Sequence, residues 1–164
     1  MITELTTQES LGVLARTQLG RLACSKGLQP YVVPFYFAYQ DKRLYGFSMP
    51  GQKLDWMRAN PLVCVEADQM RREHWTTVVV FGRYKELPDT DEMESERALA
   101  VALLQKRPEW WEPGREKIAP CGPAPVTAAE VAPVFYRIDI AKISGRRSGP
   151  ESGESGTPRN STAY

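Results

Sequence analysis

Short β-forming segments separated by turn signals fill most of the first half of this chain. Gly20 to Ser25 is followed by the turn signal Lys26-Gly27, and Tyr31 to Tyr39 is rich in β-branched and aromatic residues. After a polar turn at residues 40–42, Arg43 to Met49 returns with alternating character. This spacing predicts antiparallel hairpins, and the three segments together predict a meander.

The rest of the chain adds three strands and two or three helices. Thr6-x-x-Glu9 is a capping-box pattern, which predicts a short helix directly after it. The spacing from Gln52 to Asn60 and the acidic start of Asp91 to Gln105 predict two more helices. Six strands with so few helices predict a mainly β, α+β fold: a small barrel with flanking helices. The further strands are Leu62 to Glu66, Trp75 to Leu87 and Val134 to Ile140.

Composition argues against several classes of function. The 164 residues include 21 Lys and Arg against 20 Asp and Glu, so the net charge of +1 offers no basic footprint for nucleic acid or an anionic membrane. Three separated cysteines and one histidine cannot assemble a Cys/His metal site. The polar N-terminus is unlike a secretory signal, and no apolar run is long enough to span a bilayer. We therefore expect a cytoplasmic protein without a metal, membrane or nucleic-acid partner.

The composition changes at Ser148. From there to Tyr164 the chain is rich in Gly, Ser and Pro and has no aliphatic side chain larger than alanine. Such a segment cannot bury enough apolar surface to offset the entropy cost of ordering it. We expect one folded domain over residues 1–147 and a disordered tail over residues 148–164.

One local motif indicates a chemical function. In Ser48-Met49-Pro50-Gly51-Gln52-Lys53 a strand ends, glycine allows a tight turn and a helix begins. The free N–H groups and positive dipole end of a helix start attract anions, and here Lys53 adds a charge and Ser48 a hydroxyl. The motif predicts a cradle for one phosphate group. The alternative is an ordinary strand–turn–helix whose Lys53 faces solvent.

Six segments follow one another in a specific order: Arg21-Leu-Ala-Cys, Val33-Pro-Phe-Tyr-Phe-Ala-Tyr, Leu44-Tyr-Gly-Phe-Ser-Met-Pro-Gly-Gln-Lys, Met57-Arg-Ala-Asn-Pro, Val63-Cys-Val-Glu and Val78-Val-Val-Phe-Gly-Arg. This succession resembles the pyridoxamine 5′-phosphate oxidase-related, FMN-binding split-barrel superfamily, and within it the branch of the nitroimidazole-resistance reductases. The resemblance implies a six-stranded antiparallel split β-barrel of Greek-key type. It also implies a homodimer that binds FMN between its two subunits.

The resemblance implies which residues bind the cofactor. They are the backbone of the second strand along the isoalloxazine ring, the strand end that touches ring and phosphate, and the helix start that grips the phosphate. In that order they are Val33, Pro34, Phe35 and Tyr36; Phe47 and Ser48; and Gln52, Lys53 and Leu54. Thr77 takes the polar position at the start of the long fifth strand. Because Pro34 has no N–H, it suits a strand edge or a bulge that receives a ligand.

Three residues are candidates for a substrate pocket: His74, which precedes the fifth strand, and the adjacent Trp110 and Trp111. No residue is identified as a general acid or base. The Arg/His set that binds substrate phosphate in the true pyridoxamine phosphate oxidases has no counterpart, so we do not expect oxidation of vitamin B6. Phe47 stands where some nitroimidazole-resistance reductases have a histidine, and a phenyl ring cannot relay protons.

The resemblance implies an FMN-dependent oxidoreductase, either a flavin reductase or a reductase of small electron-poor molecules, with NAD(P)H as electron donor. Two alternatives remain open: an FMN carrier or redox sensor without turnover, and a split barrel that uses a deazaflavin or haem. A small barrel has no room inside for a flavin, so the ring must lie outside, where a second copy would cover it. We expect aromatic residues at that interface, among them Phe35, Tyr36, Phe37, Tyr39 and Trp75.

Overall fold

The computed structural model describes residues 1–71, 74–106 and 132–149. This part of the chain forms strands and three helices. The strands are β1 (Ile2–Leu5), β2 (Leu19–Lys26), β3 (Gln29–Tyr36), β4 (Ala38–Gln40), β5 (Arg43–Ser48), β6 (Leu62–Met70), β7 (Trp75–Glu86) and β8 (Val134–Ser148). The helices are α1 (Thr7–Arg16), α2 (Gln52–Ala59) and α3 (Glu94–Gln105). Trp110, Trp111 and residues 150–164 of the expected tail lie outside the described residues.

The strands form one antiparallel sheet in the order β3-β2-β6-β7-β8-β5-β4, and β1 pairs with β8. The two ends of this path, β3 and β4, are consecutive in the chain and are separated only by Phe37. The sheet therefore curls until its ends meet, yet within the described residues no ladder joins β3 to β4 or β5. This is the expected split β-barrel, with eight strands where we predicted six.

The predicted meander is instead two hairpins at opposite ends of the sheet. β2 pairs with β3, and β4 pairs with β5. The strand expected over Tyr31 to Tyr39 is divided at Phe37, where the chain changes partner: the Phe37 N–H still donates to the carbonyl of Gln18 (3.0 Å) beside β2, whereas Ala38 pairs with β5. One continuous segment thus supplies both edges of the split.

The sheet also extends beyond the predicted limits at both termini. β1 was not predicted, and β8 continues well past the expected end at Ile140. Ser148 pairs with Ile2 on one side and with Trp75 on the other, so the fold includes the first residue assigned to the tail. Backbone pairing on two sides stabilises this part of β8 even though most of its side chains are exposed.

Helices α1 and α2 pack at opposite ends of the barrel. α1 faces the end formed by Gln69, Thr76 and Arg147. α2 lies at the other end of β2, where the Asn60 amide donates to the Ser25 hydroxyl (3.1 Å). Both helices bury leucine side chains in the same core cluster as the inward-facing strand residues.

Helix α3 packs on the outside of β5 and β8. Its Glu96 pairs with Arg43 (3.4 Å) and with Arg137, whose side chain is only 10% exposed. Arg137 also pairs with Asp139 (2.8 Å). This charge network fixes the helix against the first half of β5, at the opposite end of that strand from the predicted phosphate turn.

Candidate functional site

Strand β3 is an edge of the sheet, as Pro34 predicted. It pairs with β2 alone within the described residues, and its prolines Pro30 and Pro34 stand opposite Ser25 and Arg21. Proline is tolerated at an edge because no neighbouring strand needs its missing N–H. The other edge of β3 is therefore available to a ligand through backbone groups.

The side chains of the predicted ring-binding segment point in different directions. Pro34 is exposed and Val33 is half-buried, whereas Phe35 and Tyr36 are buried. The Phe35 ring stacks on Tyr136 with 5.8 Å between ring centroids. Phe35, Tyr36 and the fully buried Phe37 therefore belong to clusters within one subunit, so our expectation that these three rings lie at a subunit interface is wrong. The Val33 side chain packs against the core, so only the backbone of this segment and the side chain of Pro34 are open to a ligand.

Gly46 allows β5 to approach β3 closely at the split. A Cβ at Gly46 would lie 2.4 Å from the Phe35 ring and 3.4 Å from the Tyr36 carbonyl oxygen. The sequence contained the signal, a glycine within a strand, which is typical of close backbone approach. Sequence reasoning missed it and also missed Tyr136, the strand residue paired with Gly46.

The predicted phosphate turn connects β5 to α2 at this split. Ser48 is the last residue of β5, and its hydroxyl donates to the carbonyl of Met49 (3.2 Å). Gly51 is the N-cap of α2, and no side chain caps the first turn. The N–H groups of the first turn have no partner inside a helix, so they are free to bind an anion. Gln52 is exposed and can add a side-chain donor, whereas Leu54 is buried and can contribute only its backbone.

Lys53 does not extend into solvent, so the solvent-facing alternative is wrong. Its side chain is partly buried, and its Nζ lies 6.0 Å from the centre of the Tyr136 ring. Burial lowers the pKa of Lys53, an effect that the nearby Cys24 thiol partly opposes. Within the described residues Lys53 forms no ion pair with a carboxylate. An unpaired, partly desolvated cation gains more from an anionic ligand than a fully solvated one does.

Phe47 lies beside this turn, and Thr77 lies on another part of the surface. Phe47 is half-buried, with its ring centroid 5.7 Å from that of Phe135. The Thr77 hydroxyl donates to Glu66 (2.9 Å) on the outer face of β6 and β7. Along the sheet β7 is three strands, or about 14 Å, from β3, and the ion pairs of Arg21 with Glu66 and Asp68 lie between them.

His74 is also remote from the split. It is exposed in the β6–β7 hairpin, where its carbonyl accepts from the Arg71 N–H (2.7 Å). One subunit therefore brings together β3, the end of β5 and the start of α2, but neither His74 nor Thr77.

The pyridoxamine 5′-phosphate oxidase family matches residues 6–147 of this chain. The chain belongs to that family. An uncharacterized protein of Rhizobium meliloti is 44% identical over 143 residues, which cover 87% of this chain and 92% of the relative.

Solved structures agree with this assignment. A FAD-binding protein from Mesorhizobium loti is 43% identical and superimposes with a TM-score of 0.74, over 91% of this chain and 99% of that chain. A protein named for 5-nitroimidazole antibiotic resistance, from Bacteroides thetaiotaomicron, shares the fold at 14% identity and a TM-score of 0.63, over 90% of this chain and 89% of that chain. The predicted superfamily and the split-barrel fold are confirmed.

Two further features are absent from the described residues. No helix there is both long and apolar enough to cross a membrane. The same residues contain no group of three or more His, Cys, Asp and Glu side chains that could hold a metal ion.

Proposed function

We propose that this chain binds a flavin nucleotide at the split between β3 and β5, with the phosphate on the start of α2. The observation that carries the proposal is the uncapped first turn of α2 beside Lys53, an unpaired and partly buried cation. The free edge of β3 provides backbone groups for the isoalloxazine ring. Membership in the pyridoxamine 5′-phosphate oxidase family supports the same ligand class.

FMN is the flavin that this turn fits best. The turn offers one helix start, one lysine and the Ser48 hydroxyl, a set of donors suited to a single phosphate. The relative from Mesorhizobium loti is named as a FAD-binding protein, so FAD is the second candidate. FAD contains the same flavin and first phosphate, and its adenylate part would extend beyond the turn.

The activity we propose is that of an oxidoreductase, a flavin reductase or a reductase of small electron-poor molecules that takes electrons from NAD(P)H. The flavin supplies hydride and electron transfer when bound. The protein's part is to hold the phosphate at Lys53, present the backbone of β3 to the ring and exclude water with Pro34. No side chain is assigned as a general acid or base, so a carrier or redox sensor without turnover is the competing function.

A second copy of the chain is the partner we propose, and the structure changes which surface it would cover. The apolar outer surface lies on β3, β2, β6 and β7, where Val32, Ala23, Cys64 and Phe81 form one row in register. Val32 is 59% and Phe81 is 51% exposed. A contiguous apolar row of this kind is unusual on a monomer, and closed two-fold pairing would bury it.

Cofactor identity and turnover are tested on the purified full chain. We expect a yellow protein whose released chromophore co-elutes with FMN, and anaerobic NAD(P)H to bleach it. Release of FAD instead of FMN would change the identity of the proposed flavin. Release of a deazaflavin or of haem would contradict the proposal of a flavin cofactor. A bound flavin that NAD(P)H does not bleach would favour a carrier without turnover. Cytoplasmic location, which we also propose, is tested separately by locating the protein in living cells.

Assembly is tested by light scattering on the flavin-loaded protein. We expect a dimer at micromolar concentration, with dimer and bound flavin lost together on dilution. Phe81→Asp should produce monomers, whereas the same change at Lys106, exposed at the end of α3 on the β5 and β8 side of the barrel, should not. A stable flavin-loaded monomer of 18.5 kDa would contradict the dimer.

A further inference from the structure

A groove of about 390 Å³ lies between α1 and the adjacent end of the barrel. This volume is within the range of small-molecule binding sites. The groove is at the opposite end of the barrel from the start of α2, so it is separate from the proposed flavin site. Its two walls are the inward-facing ends of β6, β7 and β8 and one side of α1.

The strand wall is polar where the barrel interior would otherwise be apolar. The inward-facing residues of β6 and β7 include the fully buried Ala67 and Val78. One step further along, the inward row becomes Gln69, Thr76 and Arg147, which stand opposite one another in register. The Gln69 amide donates to the Thr17 hydroxyl (3.3 Å) next to α1, and the remaining polar groups of this row face the groove, where they can meet a polar ligand.

The helix wall has its own gap. Gln8, Gly12 and Arg16 are four residues apart and line the same side of α1. Glycine makes a helix less stable than alanine does. A Cβ at Gly12 would lie 3.4 Å from Nη1 of Arg16. The Arg16 guanidinium therefore lies over the Gly12 position, along the groove side of α1.

The charges of the groove are only partly balanced. Arg147 pairs with Glu9 (3.5 Å), a carboxylate that also accepts hydrogen bonds from Thr6. Within the described residues Arg16 has no carboxylate partner. The groove thus has two guanidinium groups and one carboxylate, which pairs with Arg147 alone. Guanidinium groups bind carboxylates and phosphates through paired hydrogen bonds.

We propose that this groove binds a small molecule through an oxyanion group, a phosphate or a carboxylate. Arg16 and Arg147 hold the oxyanion, and the side chains of Gln8, Gln69 and Thr76 bind polar groups on the rest of the molecule. The proposal does not depend on flavin binding, because the two sites share no residue.

The test is an NMR titration of the full chain with inorganic phosphate and, separately, with succinate. We expect saturable shifts of the Gly12, Gln69 and Thr76 amide signals, and the more effective anion identifies the oxyanion class. Arg16→Gln should weaken the binding about tenfold, as expected for loss of one charge-assisted contact. Arg83→Gln removes the same charge from an exposed site on β7 and should change the affinity by less than twofold.

A second variant separates binding from folding. Gly12→Ala should raise the melting temperature, because alanine favours the helix, and should leave anion affinity within twofold, because the added Cβ makes only ordinary contact with Arg16. The proposal is overturned if neither anion gives saturable shifts, if both arginine variants weaken binding equally, or if Gly12→Ala weakens binding as much as Arg16→Gln. If Lys53→Ala loses flavin binding but keeps the anion-induced shifts, the anion groove is independent of the proposed flavin site.

Discussion

The two helices at the ends of the barrel begin in different ways. α1 caps itself: the Thr6 hydroxyl accepts from the Glu9 N–H (3.2 Å), and the Glu9 carboxylate accepts from the Thr6 N–H (2.8 Å). α2 begins at Gly51 without any side-chain cap. A capped start contributes to stability and has fewer donors left, whereas an uncapped start keeps its donors for water or a ligand. The comparison indicates that α1 is built for stability and that the start of α2 is built for binding.

The residues around the N-termini of α1 and α2 differ in the same way as the caps do. Glu9 is an exposed acid with satisfied hydrogen bonds, and these bonds lower its pKa. At the other end Lys53 lies over Tyr136, whose buried hydroxyl has no hydrogen-bond partner within the described residues. Buried polar groups without partners are uncommon in folded proteins and are often found at functional sites. The start of α2 thus has two unfavourable features that the start of α1 lacks, a partly buried cation without an ion pair and a buried hydroxyl without a partner.

The largest effect we expect is on flavin affinity in Lys53→Ala. A charge-assisted contact to phosphate contributes about 1.5–3 kcal/mol, so FMN should bind about ten- to a hundredfold more weakly. Lys85→Ala, which removes an exposed lysine on β7, is the matched control and should bind FMN normally. Fluorescence titration measures both, and riboflavin, which has no phosphate, should not distinguish the variants. If Lys53→Ala changes the affinity for FMN by less than twofold, the phosphate turn does not bind the cofactor.

Gly46→Ala should destabilise the split by about 1–3 kcal/mol, the usual cost of overpacking. The added Cβ would meet the Phe35 ring at 2.4 Å, and that ring is held against Tyr136. Gly51→Ala is the control, since a Cβ there meets nothing within 4 Å. Urea unfolding compares the two variants. Equal stability of both would show that β3 and β5 do not approach each other closely.

Thr6→Ala should cost about 1 kcal/mol of stability, the typical value for loss of an N-cap. FMN affinity should stay within twofold of the wild type, because Thr6 lies at the other end of the barrel from Lys53. Denaturant unfolding and fluorescence titration on the same samples measure the two quantities. An affinity loss as large as that of Lys53→Ala would mean that the ends of the barrel do not act independently.

The sequence predicts local features of this molecule better than the direction of its side chains. The capping box at Thr6 and the edge position of Pro34 follow from chemistry within a few residues, and both are confirmed. The burial of Phe35 and the inward position of Lys53 depend on how β3 meets β5, which no local pattern contains. The extension of β8 to Ser148 depends on pairing with β1 and β7, so its own polar composition did not reveal it.

The smallest effects we expect are opposite responses of the two ends to pH. Burial lowers the pKa of Lys53 in the folded state, so its charge costs stability at neutral pH, and this cost disappears as the pH rises towards the unfolded value of about 10.4. Lys53→Met should therefore raise the melting temperature at pH 7, and its advantage should shrink towards pH 10.

At the α1 end the sign is reversed. Hydrogen bonds from Thr6 lower the pKa of Glu9, so its contribution is present above the unfolded value of about 4.3 and is lost as the pH falls through the folded value. The difference in melting temperature between Thr6→Ala and the wild type should then become smaller at acidic pH and stay unchanged at basic pH. Melting curves of both variants and the wild type from pH 3 to about 10 measure these differences. An advantage of Lys53→Met that does not change with pH would show that its ammonium is solvated, which would remove the desolvated cation from the binding argument.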